Sequence, residues 1–162
     1  MRLIGVAAML GIGFVGGLMA AGPQKQSPEV RTIERVTGIG GVLFKAKDTK
    51  ALGAWYRDNL GLEVQGGAPE WLAFEWRERE KPSRLGSTVW ALFRSDTKYF
   101  GPSQAPFMIN YRVRNLDRML AQLRAHGVGV EPKVADEFNG RFAWVMDPEG
   151  NKIELWEPKE GF

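Results

Sequence analysis

Hydrophobic and polar positions change rhythm several times along the chain. Gly41-Val-Leu-Phe-Lys-Ala-Lys-Asp48 alternates every second residue, the period of a strand with two unlike faces. From Thr49 to Asn59 the rhythm changes: Leu52, Trp55 and Tyr56 fall at i, i+3 and i+4, one face of a helix. Asp48 stands where a helix cap is expected and Gly61 where a helix stops. Trp71 to Arg77 and Thr88 to Phe93 then read as strands. The same order returns later. Met108-Ile-Asn-Tyr-Arg-Val-Arg-Asn115 alternates, and Leu116, Met119, Leu120 and Leu123 continue at helical spacing before Gly127. Arg141 to Met146 and Asn151 to Trp156 are strands joined by the turn Asp147-Pro148-Glu149-Gly150. Strand, helix and about three strands thus occur twice, over modules of about 37–93 and 106–158. Residues 94–105 link them and carry Tyr99 and Phe100.

The N-terminus follows another pattern. Leu3 to Ala21 carries no charge, Arg2 precedes it, and the small residues Ala20-Ala21-Gly22 follow. This layout predicts a secretory signal peptide over residues 1–22, or a membrane anchor, since about 20 apolar residues span a bilayer. Five glycines in the run argue against a buried core helix. Residues 23–36, with Gln24-Lys25-Gln26-Ser27-Pro28, read as a linker. Arg2 keeps the short end cytoplasmic. The domain is therefore expected to be exported, periplasmic or otherwise extracytoplasmic, touching membrane solely through residues 3–21 if the leader stays and anchors it in the inner membrane.

Composition narrows the functional classes. At 162 residues, 25% charged and 44% hydrophobic, the chain fits one globular domain. Its net charge of +3 is spread among acidic residues rather than gathered in a stripe, so no nucleic-acid partner is expected. There is no cysteine, which removes disulfides, thiolate metal sites and a cysteine nucleophile.

The run from the first strand through Asp48 and Leu60-Gly61-Leu62, with a second copy closing on Asp147-Pro-Glu-Gly-Asn-Lys-Ile-Glu-Leu-Trp156, resembles the vicinal oxygen chelate superfamily, the glyoxalase and bleomycin-resistance proteins. The resemblance covers about residues 37–158. It implies an α+β fold, preceded by the hydrophobic segment, in which two βαβββ modules form a cup-shaped mixed sheet with helices outside. In that superfamily the cup holds a metal and a small substrate or, in the bleomycin-resistance branch, a drug without metal. The metal ligands are His or Gln at the start of each opening strand and Glu in the last strand. The matching positions here are Gly41, Met108 and Glu154, with Trp90 as the first-module counterpart of Glu154 when Thr88-Val-Trp-Ala-Leu is aligned with Lys152-Ile-Glu-Leu-Trp. Glu154 alone offers an oxygen. Neither a metal nor another cofactor is therefore expected, and metal-dependent glyoxalase and ring-cleaving dioxygenase chemistry are disfavoured. The sole histidine, His126, falls at the end of the second helix and reads as surface. Asp136-Glu137 reads as a solvated loop.

If Gly41, Met108 and Glu154 face inward, alternation sends Leu43, Lys45, Asn110, Arg112, Lys152 and Trp156 inward too, with Trp90 and Leu92 beside them. Lys45 and Lys152 read as solvated rim residues. Val42, Phe44, Ile109, Tyr111, Val113, Ile153 and Leu155 then form core on the helix side. Trp90, Met108, Asn110, Arg112, Glu154 and Trp156 are the candidate ligand-binding set, apolar walls with a few polar groups. The preferred function is metal-free binding of a small, partly aromatic molecule. One alternative is a lyase or isomerase with Glu154 as general base and Arg112 or Asn110 stabilising an oxyanion. Another is a relic in which an Arg112–Glu154 ion pair and Trp90 fill the site. Assembly as a homodimer stays open.

Overall fold

The computed structural model describes residues 33–79 and 81–162; the segment read at residues 1–22 lies outside them. The elements are β1 (Val36–Ala46), α1 (Thr49–Leu60), β2 (Glu70–Arg77), β3 (Leu85–Arg94), β4 (Phe107–Val113), α2 (Leu116–Ala125), β5 (Val130–Glu137), β6 (Gly140–Met146) and β7 (Lys152–Pro158). The strands form one open, mixed sheet in the order β2-β3-β1-β4-β7-β6-β5. β1 runs parallel to β3 and β4 parallel to β7, and the two halves meet along the antiparallel β1–β4 pair. In the first half one of the three expected strands after the helix is reduced to an isolated bridge, Gln65 to Trp71. Among the described residues no helix is long and apolar enough to cross a membrane.

Local chemistry sets the helix ends. The Asp48 side chain accepts from the Ala51 amide at 2.9 Å, and Asn115 accepts from that of Arg118 at 2.9 Å. Each satisfies an amide that the first turn leaves bare. Gly61 and Gly127 adopt φ of 66° and 75°, left-handed conformations that close the helices. The β6–β7 turn is held by Asp147, whose Oδ1 accepts from the amides of Glu149 (2.9 Å) and Asn151 (2.8 Å).

Both helices cover the same face of the sheet. Leu116, Met119 and Leu120 of α2 pack on Val113, Val145 and Leu155, with Tyr111 and Ile153 at the margin. On the opposite, inner face, Leu43, Ala91, Met108 and Trp144 form a second cluster with Phe100 of the linker. The register corrects the expectation for Trp90 and Leu92. Val42 pairs with Trp90 and Phe44 with Leu92, so both leave the sheet on the helix side. There Trp90 meets Phe44 and Tyr56 edge-on, at 5.1 and 4.8 Å between centroids. Leu43 pairs with Ala91 as Asn110 pairs with Glu154, so the counterpart of Glu154 is Ala91. The sequence alignment is one residue out of register, and one residue exchanges the two faces. Asp136 and Glu137 are likewise not in a loop but close β5, with Asp136 paired to Lys159 at 2.7 Å.

The β1–β4 ladder shifts register between Ile39 and Gly41, which leaves Gly40 as an extra residue pressed against the inner face. A β-carbon there would lie 2.1 Å from Asn110 Oδ1 and 2.8 Å from the Trp156 ring. Gly40→Ala is therefore expected to lower stability by about 1–3 kcal/mol, the usual cost of overpacking. Urea unfolding of the two proteins checks this; equal midpoints would contradict the close packing of β1 on Asn110 and Trp156.

Candidate functional site

Strand alternation along β7 puts Lys152, Glu154 and Trp156 on the inner face, and all three are buried. Glu154 is 4% exposed, yet no cation reaches its carboxylate among the described residues. Its Oε1 accepts from the Asn110 amide at 2.7 Å. Its Oε2 accepts from the Trp144 indole N–H at 2.9 Å and from the Tyr99 hydroxyl in a short contact. Two of these donors follow from the sheet, because Asn110 and Trp144 are the register partners of Glu154 in β4 and β6. The third comes from the linker. The satisfaction is not complete on the other side: Asn110 must turn its N–H₂ to the carboxylate, and its own Oδ1 is buried without a partner among the described residues.

Tyr99 is held in place twice over. Its ring stacks on Phe93, 5.3 Å between centroids and 7° between planes. Its backbone carbonyl accepts from Lys152 Nζ at 3.2 Å, and the same ammonium reaches Gly101 O at 3.0 Å and Glu131 at 3.0 Å. Lys152 is thus a buried clamp on the linker rather than the solvated rim residue expected. Burial, and then the negative charge of Glu154, push the Tyr99 hydroxyl well above the usual phenol range, so it remains a donor at ordinary pH.

Arg112 does not face Glu154, contrary to the expected pair. It lies two residues further along β4, about 7 Å on, where two indoles receive it. Its guanidinium sits 4.8 Å from the Trp156 ring and 5.3 Å from that of Trp76. It donates to the backbone oxygen of Phe162 at 3.1 Å and, at the limit, to that of Ser87 at 3.5 Å. Trp156 is fixed in turn by stacking on Phe142 and by donating to Asn139 O at 3.2 Å. Arg112 is 2% exposed, and among the described residues no side-chain carboxylate pairs with it. Burial pulls its pKa down, with Glu78 opposing and Arg84 adding to the fall; a guanidinium still keeps its charge. Arg112 borders a cavity of about 860 Å³ whose wall includes Thr37, Trp76, Glu78 and Arg84.

Of the six residues expected to bind a ligand, Met108, Asn110 and Glu154 come together at the centre of the inner face. Arg112 and Trp156 form a neighbouring pair, and Trp90 lies on the other side of the sheet. The positions where the superfamily holds a metal are therefore Gly41, Ala91, Met108 and Glu154. They supply one carboxylate, and its oxygens already receive three donors. Among the described residues no three or more His, Cys, Asp or Glu side chains gather. This donor set does not fit a divalent ion. Sequence reasoning missed Tyr99, Trp144, Lys152 and Trp76. Trp144 was within reach, since alternation from Arg141 to Met146 places it inward; the aromatic pair Tyr99-Phe100 in a polar linker was the second signal.

The mixed open sheet, the element order and the inward Glu154 define a vicinal oxygen chelate domain. The chain belongs to the glyoxalase-like family: residues 41–156 match the family described as "Glyoxalase-like domain". It is 27% identical over 115 residues to the uncharacterized protein YraH of Bacillus subtilis (strain 168), a match spanning 68% of this chain and 90% of that one. A methylmalonyl-CoA epimerase of Streptomyces coelicolor shares the fold at a TM-score of 0.55 and 18% identity, over 75% of this chain and 97% of that one. The Mn(II)-bound glyoxalase from Novosphingobium aromaticivorans does so at 0.54 and 24% identity, over 79% of this chain and 41% of that one.

If Tyr99 serves Glu154 as its donor, Tyr99→Phe should cost about 1–3 kcal/mol at neutral pH, the range for leaving a buried acceptor short of a partner. The pH dependence has a definite sign. A hydroxyl whose pKa is raised on folding contributes fully below about pH 10, the unfolded value, and loses that contribution as pH rises beyond it. Above pH 10 the parent should therefore lose stability more steeply than Tyr99→Phe in denaturant titrations. Parallel curves would show that the hydroxyl is not held by Glu154.

Proposed function

We propose that the chain binds a small, partly aromatic acid, without a metal, in the cavity bordered by Arg112 and Trp76. One observation carries the reading: Arg112 is a buried cation between two indoles, its acceptors are main-chain oxygens, no side-chain carboxylate among the described residues pairs with it, and it borders about 860 Å³ of space. A buried charge is costly unless paired. The carboxylate of a ligand adds a charged acceptor to the main-chain oxygens of Phe162 and Ser87, in the planar geometry a guanidinium favours. Trp76 supplies an aromatic surface for the ligand's body.

Binding is favoured over catalysis because Glu154 lacks a free face. Tyr99, Trp144 and Asn110 occupy its oxygens; of the two candidates for stabilising an oxyanion, Asn110 is thereby engaged and Arg112 is turned toward Trp76. The uncharged run from Leu3 to Ala21 supports placing this binding outside the cytoplasm.

Calorimetric titration of the full-length chain with 3-phenylpropionate tests the proposal. Saturable binding is expected, and Arg112→Met, which keeps the apolar stem between the indoles, should weaken it by about tenfold or more, the loss of a charged hydrogen bond. Glu154→Gln should change affinity much less. Equal affinity in the parent and Arg112→Met, or loss on Glu154→Gln alone, would overturn the assignment.

A further inference from the structure

A second cavity, of about 670 Å³, opens at the N-terminal end of α1, bounded by Lys47, Lys50, Pro69, Phe93 and Tyr99. Glu70, the first residue of β2, lines it as well. Glu70 pairs with Leu92, so its side chain leaves the sheet on the helix side, away from Glu154. It is 5% exposed, and its Oε2 is enclosed with no hydrogen-bond partner among the described residues. An enclosed carboxylate of this kind is costly to keep unless a donor reaches it. The charges around it are already engaged: Arg94 holds Asp96 through bonds of 3.0 and 2.8 Å, and Asp48 caps α1. Lys47 and Lys50 are exposed, so water and salt screen their charge far more than that of Glu70.

We infer that this cavity is a second small-molecule site, which takes an organic ammonium ion: its N–H groups bond to the Glu70 carboxylate and its apolar body lies against Ala68 and Pro69. The site is separate from the one at Arg112, since the two linings share no residue. Donor and shape requirements are both met by such a ligand. An ammonium group supplies three donors to an acceptor that has none at Oε2, and an aromatic or aliphatic body matches the walls.

Melting curves and calorimetry of the full-length chain with 2-phenylethylammonium, and with 3-phenylpropionate as the opposite-charge control, decide the matter. The ammonium should raise the melting temperature of the parent but not of Glu70→Gln, whose affinity for it should fall by about tenfold or more. Without ligand, Glu70→Gln should melt at or above the parent, because it removes a carboxylate one of whose oxygens is enclosed without a donor among the described residues. Binding of 3-phenylpropionate should be the same in both proteins. Three results would each overturn the inference: no ammonium binding at millimolar concentration, an equal shift in both proteins, or a Glu70→Gln variant that melts lower or fails to fold. The last would mean that Lys47 or Lys50 already serves the carboxylate.

Discussion

One buried carboxylate with neutral partners organises the inner face of this sheet. Glu154 draws its donors from three separate parts of the chain: Asn110 on β4, Trp144 on β6 and Tyr99 on the linker. Bonds to a charged acceptor contribute about 1.5–3 kcal/mol each, enough together to offset the removal of one carboxylate from water. That requirement fixes much else. It turns the Asn110 amide and thereby strands Asn110 Oδ1, and it brings Tyr99 down onto the sheet, carrying Phe100 into the cluster with Leu43, Met108 and Trp144. Lys152 then ties the same linker from the other side through Tyr99 O and Gly101 O.

The consequence is a closed centre on the inner face, with the open space lying elsewhere. Aromatic and neutral polar groups fill the centre, where the superfamily's resemblance places a metal. A cation entering there would have to compete for oxygens that already hold an N–H or an O–H. The open space lies instead beside Arg112, with its indoles, and beside Glu70 near the start of α1. These two spaces adjoin buried groups of opposite charge: Arg112, whose acceptors are the main-chain oxygens of Phe162 and Ser87, and Glu70, whose Oε2 has no donor among the described residues.

Much of this was legible in the sequence, for reasons that can be named. Helix caps at Asp48 and Asn115, glycine stops at Gly61 and Gly127, and the turn at Asp147 depend on local chemistry, which a sequence displays directly. Alternation within a single strand also held, placing Met108, Asn110, Glu154 and Trp156 on one face. What failed was alignment between strands. Trp90 was assigned its face by comparison with β7, and a shift of one residue sent it to the helix side with Phe44 and Tyr56. Arg112 and Glu154 do share a face, but which of them touch depends on where Trp76, Trp156 and the bulge at Gly40 leave room. Tyr99 sits in a linker with no period, so nothing in its sequence neighbourhood pointed to Glu154.

The central claim is that side-chain donors, and not a metal ion, satisfy Glu154. The most direct measurement follows the Trp144 indole N–H by nuclear magnetic resonance in the full-length chain while Zn²⁺ is added. The expected result is a slowly exchanging indole proton whose resonance does not move at one equivalent of Zn²⁺, and which loses its protection in Glu154→Gln. A resonance that shifts or vanishes with one equivalent of Zn²⁺ in the parent, but not in Glu154→Gln, would contradict the account.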